Sequence, residues 1–200
     1  MGLSHKNMNR DQLKKLYSDS FSALREAGRT IVIAVILFLA SVSIGMIHPS
    51  WADDALSSLR SLARHLSGKS LYTLVLTIFL KNALSSTISV VTGPLLGIIP
   101  ISAAIVNGLL LGSTASYLKQ INKAYAIIYL LPHGVFEFPA MFMAWGLGLW
   151  QGAGVFHQNL RPSFRERRNK AFTVLFIVIL PLLLIAATIE GTTIYVAKMN

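Results

Sequence analysis

Five long apolar runs divide the chain, and they set its class before any motif does. The first, IVIAVILFLASVSIGMI, fills residues 31–47 without a charged side chain. A helix rises about 1.5 Å per residue and the hydrocarbon core of a bilayer is about 30 Å thick, so roughly 20 apolar residues cross it. Spans are expected at about 30–47, 71–92, 98–118, 124–150 and 171–196. Charged residues make up only 13% of the chain and the mean hydropathy is +0.59. Soluble domains carry about 25% charge, so this chain lacks the polar surface that a water-facing globule needs. The expected fold class is all-α: a polytopic helical integral membrane protein with about five transmembrane helices and two amphipathic surface helices. Residues 1–29 read as a cytoplasmic amphipathic segment and 30–197 as a single transmembrane helical domain.

The net charge of +10 sits in tight groups beside the apolar runs. Anionic lipid headgroups and the positive-inside rule account for that placement, and no basic stripe with interleaved aromatics points to nucleic acid. With no cysteine, disulfides, thiol catalysis and cysteine-ligated zinc are excluded. The first 29 residues are polar and no A-x-A-like cleavage site follows the first run, so no removable signal peptide is expected.

Two stretches outside the spans have helical periodicity. In 9–27, Leu13, Leu16, Tyr17, Phe21 and Leu24 share a face opposite Lys14, Lys15, Asp19 and Arg25, and Asn9 and Gln12 have capping-box spacing. Such a helix lies either on the cytoplasmic membrane surface or on the protein's own loops. After the first span, Asp53 or Asp54 can cap a short helix with Leu56, Leu59, Ala63 and Leu66 on one face and Gly68 as its stop. Trp51 would sit at interface level.

Counting Lys and Arg across five spans places eleven on the amino-terminal side (six before the first span, five in 161–170) and six on the other, with Lys81 left inside. The bias puts the amino end in the cytoplasm and the carboxyl end outside. Gly93 with Gly97, and Gly108 with Gly112, form G-x-x-x-G pairs, a spacing that lets helices approach closely. The fourth segment contains Pro132 and Pro139, and a proline in a membrane helix frees a carbonyl that something else must satisfy. A break or kink is expected near His133 and Gly134, and a re-entrant pair is an alternative that would move the carboxyl end.

Function is best sought among groups that are costly where they lie. A charge at the centre of a spanning helix costs about 2.5–3.5 kcal/mol on insertion scales. Lys81, Glu137 and Glu190 are such groups, accompanied by His133, Asn82 and Asn107. Lys81 and His133 both fall about 15 Å into their spans. His133 and Glu137 are four apart and share a helix face. The expected arrangement is a buried polar cluster in which Lys81 pairs with Glu137 or Glu190; removing one member would strand its partner at roughly 3–5 kcal/mol, by analogy with buried ion pairs.

Three readings compete for that cluster. It can be a satisfied polar knot that fixes helix register. It can be a proton or ion site, since broken helices, midplane ionisable groups and internal repeats mark many transporters; a faint repeat places Lys81–Asn82 before Gly93 and His133–Gly134 before Gly146. It can hold a metal, with His133, Glu137 and Glu190 as ligands of an intramembrane hydrolase. H-x-x-x-E is a loose pattern, H-E-x-x-H is absent, and no nucleophile triad or phosphate-binding loop stands out. The expectation is therefore no enzyme and no cofactor.

The segment LPHGVFEFPAMFMAWGLGLWQG at 131–152 resembles the most distinctive stretch of the stage II sporulation protein M family, an L-P-H-G-hydrophobic-x-E-hydrophobic-P-A run followed by glycines. The asparagine of KNALSSTISVVTGPLLGIIP (81–100), the NGLLLG at 107–112 and the AATIEG at 186–191 fall where that family has an asparagine, an N-G pair and a late membrane glutamate. The resemblance covers roughly 20–195 and implies a polytopic membrane protein. In spore formers the founding member is similar in role to a scaffold, holding together the peptidoglycan-degrading proteins that drive engulfment; homologues also occur in organisms that make no spores. The positions carried over are Asn82, Asn107, Gly108, Pro132, His133, Gly134, Glu137, Pro139 and Glu190, to none of which the family assigns a catalytic role. The resulting expectation is a non-enzymatic membrane scaffold. Its partners would be anionic lipid and membrane or cell-envelope proteins, met through the outer loop (48–70) and the basic cytoplasmic surfaces, with a homo-oligomer also open. A small transporter or channel is the alternative.

Overall fold

The computed structural model describes residues 10–197 apart from 55, 58–60, 62–67, 96, 122 and 157–161. Among them the regular structure is helical: α1 (Arg10–Glu26), α2 (Gly28–Ile47), α3 (Leu71–Val91), α4 (Ile98–Ile121), α5 (Lys123–Phe156), α6 (Phe164–Val174) and α7 (Leu180–Ala197). A 3-10 turn, Pro49–Ala52, follows α2, and a π turn, Leu175–Ile179, joins α6 to α7 without interruption.

Local chemistry sets the helix ends. Ser70 caps α3, its hydroxyl accepting the Thr73 N–H at 3.3 Å. Ser163 and Glu166 form a full capping box at the start of α6: the Ser163 N–H donates to Glu166 Oε2 at 2.6 Å, and the Glu166 N–H returns to Ser163 Oγ. Between α3 and α4 the chain reverses through Gly97, whose φ of +70° is a left-handed conformation that glycine adopts without a Cβ penalty.

Four stretches are long and apolar enough to cross a membrane among the described residues: Gly28–Ile47, Leu71–Val91, Ile98–Lys119 and Phe164–Val196. Helix α5, with 34 residues, packs among them, so the structure gives four such stretches where about five spans were expected. One face of α5 carries Ala140, Ala144, Leu147 and Trp150 into a core shared with α1, α3, α6 and α7; the other carries Met141 and Trp145 against Ala34 and Phe38 of α2 and Ala104 of α4. In the second core Phe38 packs on Phe138 and Phe142, with centroids 5.6 and 5.2 Å apart.

The structure corrects the expected break in the fourth segment. Helix α5 runs through Pro132, His133, Gly134 and Pro139 as one piece, and it is not a re-entrant pair. Pro139 lies on the exposed side, as does Val135, whose carbonyl loses its donor to the proline. The buried face of the ladder therefore continues unbroken. The last span also starts earlier than expected. Arg165, Arg167, Arg168 and Lys170 ride on the first turns of a helix that begins at Phe164. Its irregularity lies further on: Pro181 has no N–H for the carbonyl of Ile177 and its ring crowds that group. The π turn immediately before it, where the Leu180 N–H reaches back to the Leu175 carbonyl, widens the helix at that point.

Helix α1 packs on α6 and the π turn through Ser20, Ala23 and Ala27, with Leu24 half-buried beside them. The apolar face expected to lie down as a unit is thus split, because the small residues dock while Tyr17 and Phe21 stay exposed, Phe21 at 71%. The Lys170 ammonium donates to Glu26 Oε1 at 2.6 Å across this contact. Both partners are 30% exposed, and such pairs contribute about 0–1 kcal/mol. Glu26→Gln is accordingly expected to shift thermal unfolding in detergent by no more than that. Asn9, and the side chains of Gln12 and Leu13, lie outside the described residues, as does most of the expected 53–66 helix. Its first turn is helical, with Leu56 buried, and the Tyr117 hydroxyl donates to Asp53 Oδ1 at 2.6 Å.

Candidate functional site

Midway along α3 and a little under halfway along α5, two polar side chains meet. Asn82 Nδ2 donates to Glu137 Oε1 at 2.9 Å. Helix α3 supplies Asn82 because the face that packs inward also carries Ala83, Ser86 and Ser89, small enough for close approach. Helix α7 closes the third side: at Gly191 a Cβ would meet Val75 Cγ2 at 2.7 Å, so α7 lies tight against α3. Glu190, the next residue, is half-buried, and its charge and that of Lys81 both act on Glu137. The site is a carboxylate–amide pair flanked by one further acid and one base, on three helices.

Two expected members are placed differently. Lys81 is exposed and, among the described residues, makes no direct ion pair; it acts on Glu137 only at longer range. It precedes Asn82 by one residue, about 100° around the helix, which turns it out of the bundle while Asn82 turns in. Asn107 is not in the cluster: its Nδ2 donates to Ala103 O of its own helix at 2.8 Å. The backbone of His133 and Pro132 belongs to α5, and their side chains lie outside the described residues. Among the described residues no three of His, Asp and Glu are grouped to hold a metal ion.

The glycines sit at backbone contacts. A Cβ on Gly108 would come within 2.5 Å of Phe38 O, one on Gly112 would land on Val42 O, and one on Gly93 would reach Gly148 O at 2.5 Å. Helices α2 and α4 therefore touch main chain to main chain, and Ser113 Oγ donates to Gly45 O across the same seam. Gly97 forms the turn already described, and Gly134 faces the Phe138 ring of its own helix.

Sequence reasoning missed two residues at the other end of the bundle. Arg167, 8% exposed, donates from Nη1 to Trp150 O at 2.8 Å and from Nε to Pro162 O at 3.2 Å, with its guanidinium 5.0 Å from the Trp150 ring. It fits because Gly154 leaves the space: a Cβ there would lie 2.8 Å from Arg167 Cδ. Gln151 is fully buried and ties α5 to α3 by donating from Nε2 to Val90 O at 2.9 Å. The available signal was Trp150–Gln151 and Gly154 at the end of an apolar run, followed by an arginine cluster of which Arg167 is buried. Arg167→Met is expected to destabilise the protein by about 1.5–3 kcal/mol, the range for hydrogen bonds from a charged donor, with Arg167→Lys intermediate. Thermal unfolding in detergent, followed by circular dichroism, measures both.

A bundle of long apolar helices bridged by a half-buried carboxylate–amide pair defines a polytopic helical membrane protein. The chain belongs to the stage II sporulation protein M family, whose model matches residues 31–193. Comparisons with curated proteins and with solved structures give no match.

Proposed function

We propose that this protein is a non-enzymatic membrane scaffold that recruits or organises partner proteins at the membrane, in spore formers the peptidoglycan-remodelling engulfment machinery. The observation that supports it is the tightness of the bundle: α5 is packed on both faces, α2 and α4 meet at main-chain contact, and Glu137 is held by Asn82. Such an interior favours holding a shape over passing a solute. The α1 end has its basic residues gathered by the docking of α1 on α6, which favours a cytoplasmic amino end and a carboxyl end outside. Partners would then be met through the 48–70 loop and the basic surfaces, with anionic lipid around the latter.

The test is a pull-down of the tagged full-length chain from native membranes in mild detergent. A reproducible stoichiometric partner, above all one with a cell-wall domain, is the expected result. Recovery of this chain alone would count against the scaffold. A small ion- or proton-coupled transporter is the second reading, favoured by the three ionisable groups gathered across α3, α5 and α7. It requires flux in proteoliposomes that Glu137→Gln removes from a folded protein. An intramembrane hydrolase would require stoichiometric zinc in the purified protein.

A further inference from the structure

Lys81 is a cation in the wrong place for a chain that stands alone. It lies at the centre of α3, about 15 Å from either end of that helix, too deep for its stem to snorkel to the headgroups. Its side chain is exposed, on the side of α3 where Leu80, Leu84 and Ile88 also face outward. It makes no direct ion pair among the described residues, although a charge at that depth is costly until it is paired.

The surroundings of Lys81 have the shape of a helix seat. Helices α3 and α4 follow one another in sequence yet share little contact. Between them an outward-opening cleft of about 280 Å³ is lined by Lys81, Leu84, Ser85, Ser89, Ile99 and Ala103. Small residues along one wall let another helix approach closely, and serines can bond its backbone or side chains.

Among the described residues the chain gives Lys81 no direct counter-ion, only the longer-range attraction of Glu137. Of its eight acidic residues, six lie in α1, in the 48–70 loop or at the start of α6. The other two are Glu137, bonded to Asn82 inside the bundle, and Glu190, whose charge acts on Glu137. Neither is among the residues that line the cleft.

We infer that the α3–α4 cleft is the docking site for a membrane-spanning helix of a partner protein that carries an aspartate or glutamate at mid-depth, which pairs with Lys81. The proposal rests on the scaffold reading and names the chemistry of its intramembrane partner. It requires that Lys81 contribute to assembly and not to the fold of the isolated chain.

A photo-crosslinking residue placed at Leu84 of the full-length protein in native membranes tests this, with the same residue at Phe21 of α1 as a second probe. The expected result is a Leu84 adduct with another membrane protein, mapped to a spanning segment that contains an acid. Lys81→Met should reduce that adduct at least tenfold while the purified chain still unfolds in one cooperative thermal transition. Lys81→Glu should abolish it, and an acid-to-lysine change in the mapped segment should restore it. Adducts with lipid alone, with a second copy of this chain, or with a segment lacking an acid would overturn the inference, as would an adduct indifferent to Lys81→Met. Protein adducts from Phe21 but not from Leu84 would leave the scaffold standing without this seat; none from either probe would remove both.

Discussion

Gly112→Leu is expected to cost at least about 3 kcal/mol and to leave little monodisperse protein after detergent extraction. Overpacking a core that can shift its side chains costs typically 1–3 kcal/mol. Here there is no side chain to shift: the new Cβ would fall on the carbonyl of Val42 and 2.9 Å from the Met46 nitrogen. The backbones of α2 and α4 would have to separate along the seam that also includes Gly45 and Gly108. Within a membrane no hydrophobic drive compensates, because lipid is as apolar as the helix faces, and packing itself holds helices together. Two controls bracket the effect. Ile36→Leu, on an exposed position of α2, should be neutral. Gly28→Ala meets nothing within 4 Å and should be neutral to about 1 kcal/mol stabilising, the helix-propensity difference between the two residues. Unfolding curves of Gly112→Leu that overlie those of Ile36→Leu would show that the close approach of α2 and α4 is not what holds the bundle.

What the sequence made legible followed from long-period signals. Apolar runs located α2, α3 and α4 closely, since roughly 20 residues with at most one charge have few other uses. Where local signals conflicted, the reading failed. Pro132 and Pro139 argued for a break in α5, but the helix is continuous, and Pro139, on an outward face, spares the buried side of the ladder. The charge density of RPSFRERRNK suggested a loop and masked Ser163 and Glu166, which stand at capping-box spacing and start α6 there. The site was half legible. That Asn82, Glu137 and Glu190 were candidates followed from the cost of burying them. Which of Lys81 and Asn82 faces inward did not follow, because α3 is apolar on every side and adjacent residues differ by about 100°. The pairing of Asn82 with Glu137, 55 positions apart, and the reach of Arg167 to Trp150 depend on tertiary placement that no periodicity encodes.

The Asn82–Glu137 pair carries the second large prediction. Glu137→Leu removes the acceptor of the Asn82 amide, and Asn82→Ala removes the amide donor from the carboxylate. Each is expected to lower stability by about 1.5–3 kcal/mol, the range for a hydrogen bond to a charged group. The double variant should lose clearly less than the sum, since the second substitution removes a group whose mutual bond the first has already broken, and the difference is the coupling between the two. Glu137→Gln should fall between wild type and Glu137→Leu, because its amide oxygen can still accept from Asn82 Nδ2. Denaturant or thermal unfolding of the four proteins in one detergent closes the cycle. Additive losses would mean that Asn82 and Glu137 act separately, and would remove the interhelical bond as the link between α3 and α5. A cycle with strong coupling and Glu137→Gln near wild type in stability supports the polar knot. A folded Glu137→Gln that loses a proton flux measured for wild type in proteoliposomes would instead assign the carboxylate to transport, because an amide keeps the bond and cannot carry the proton.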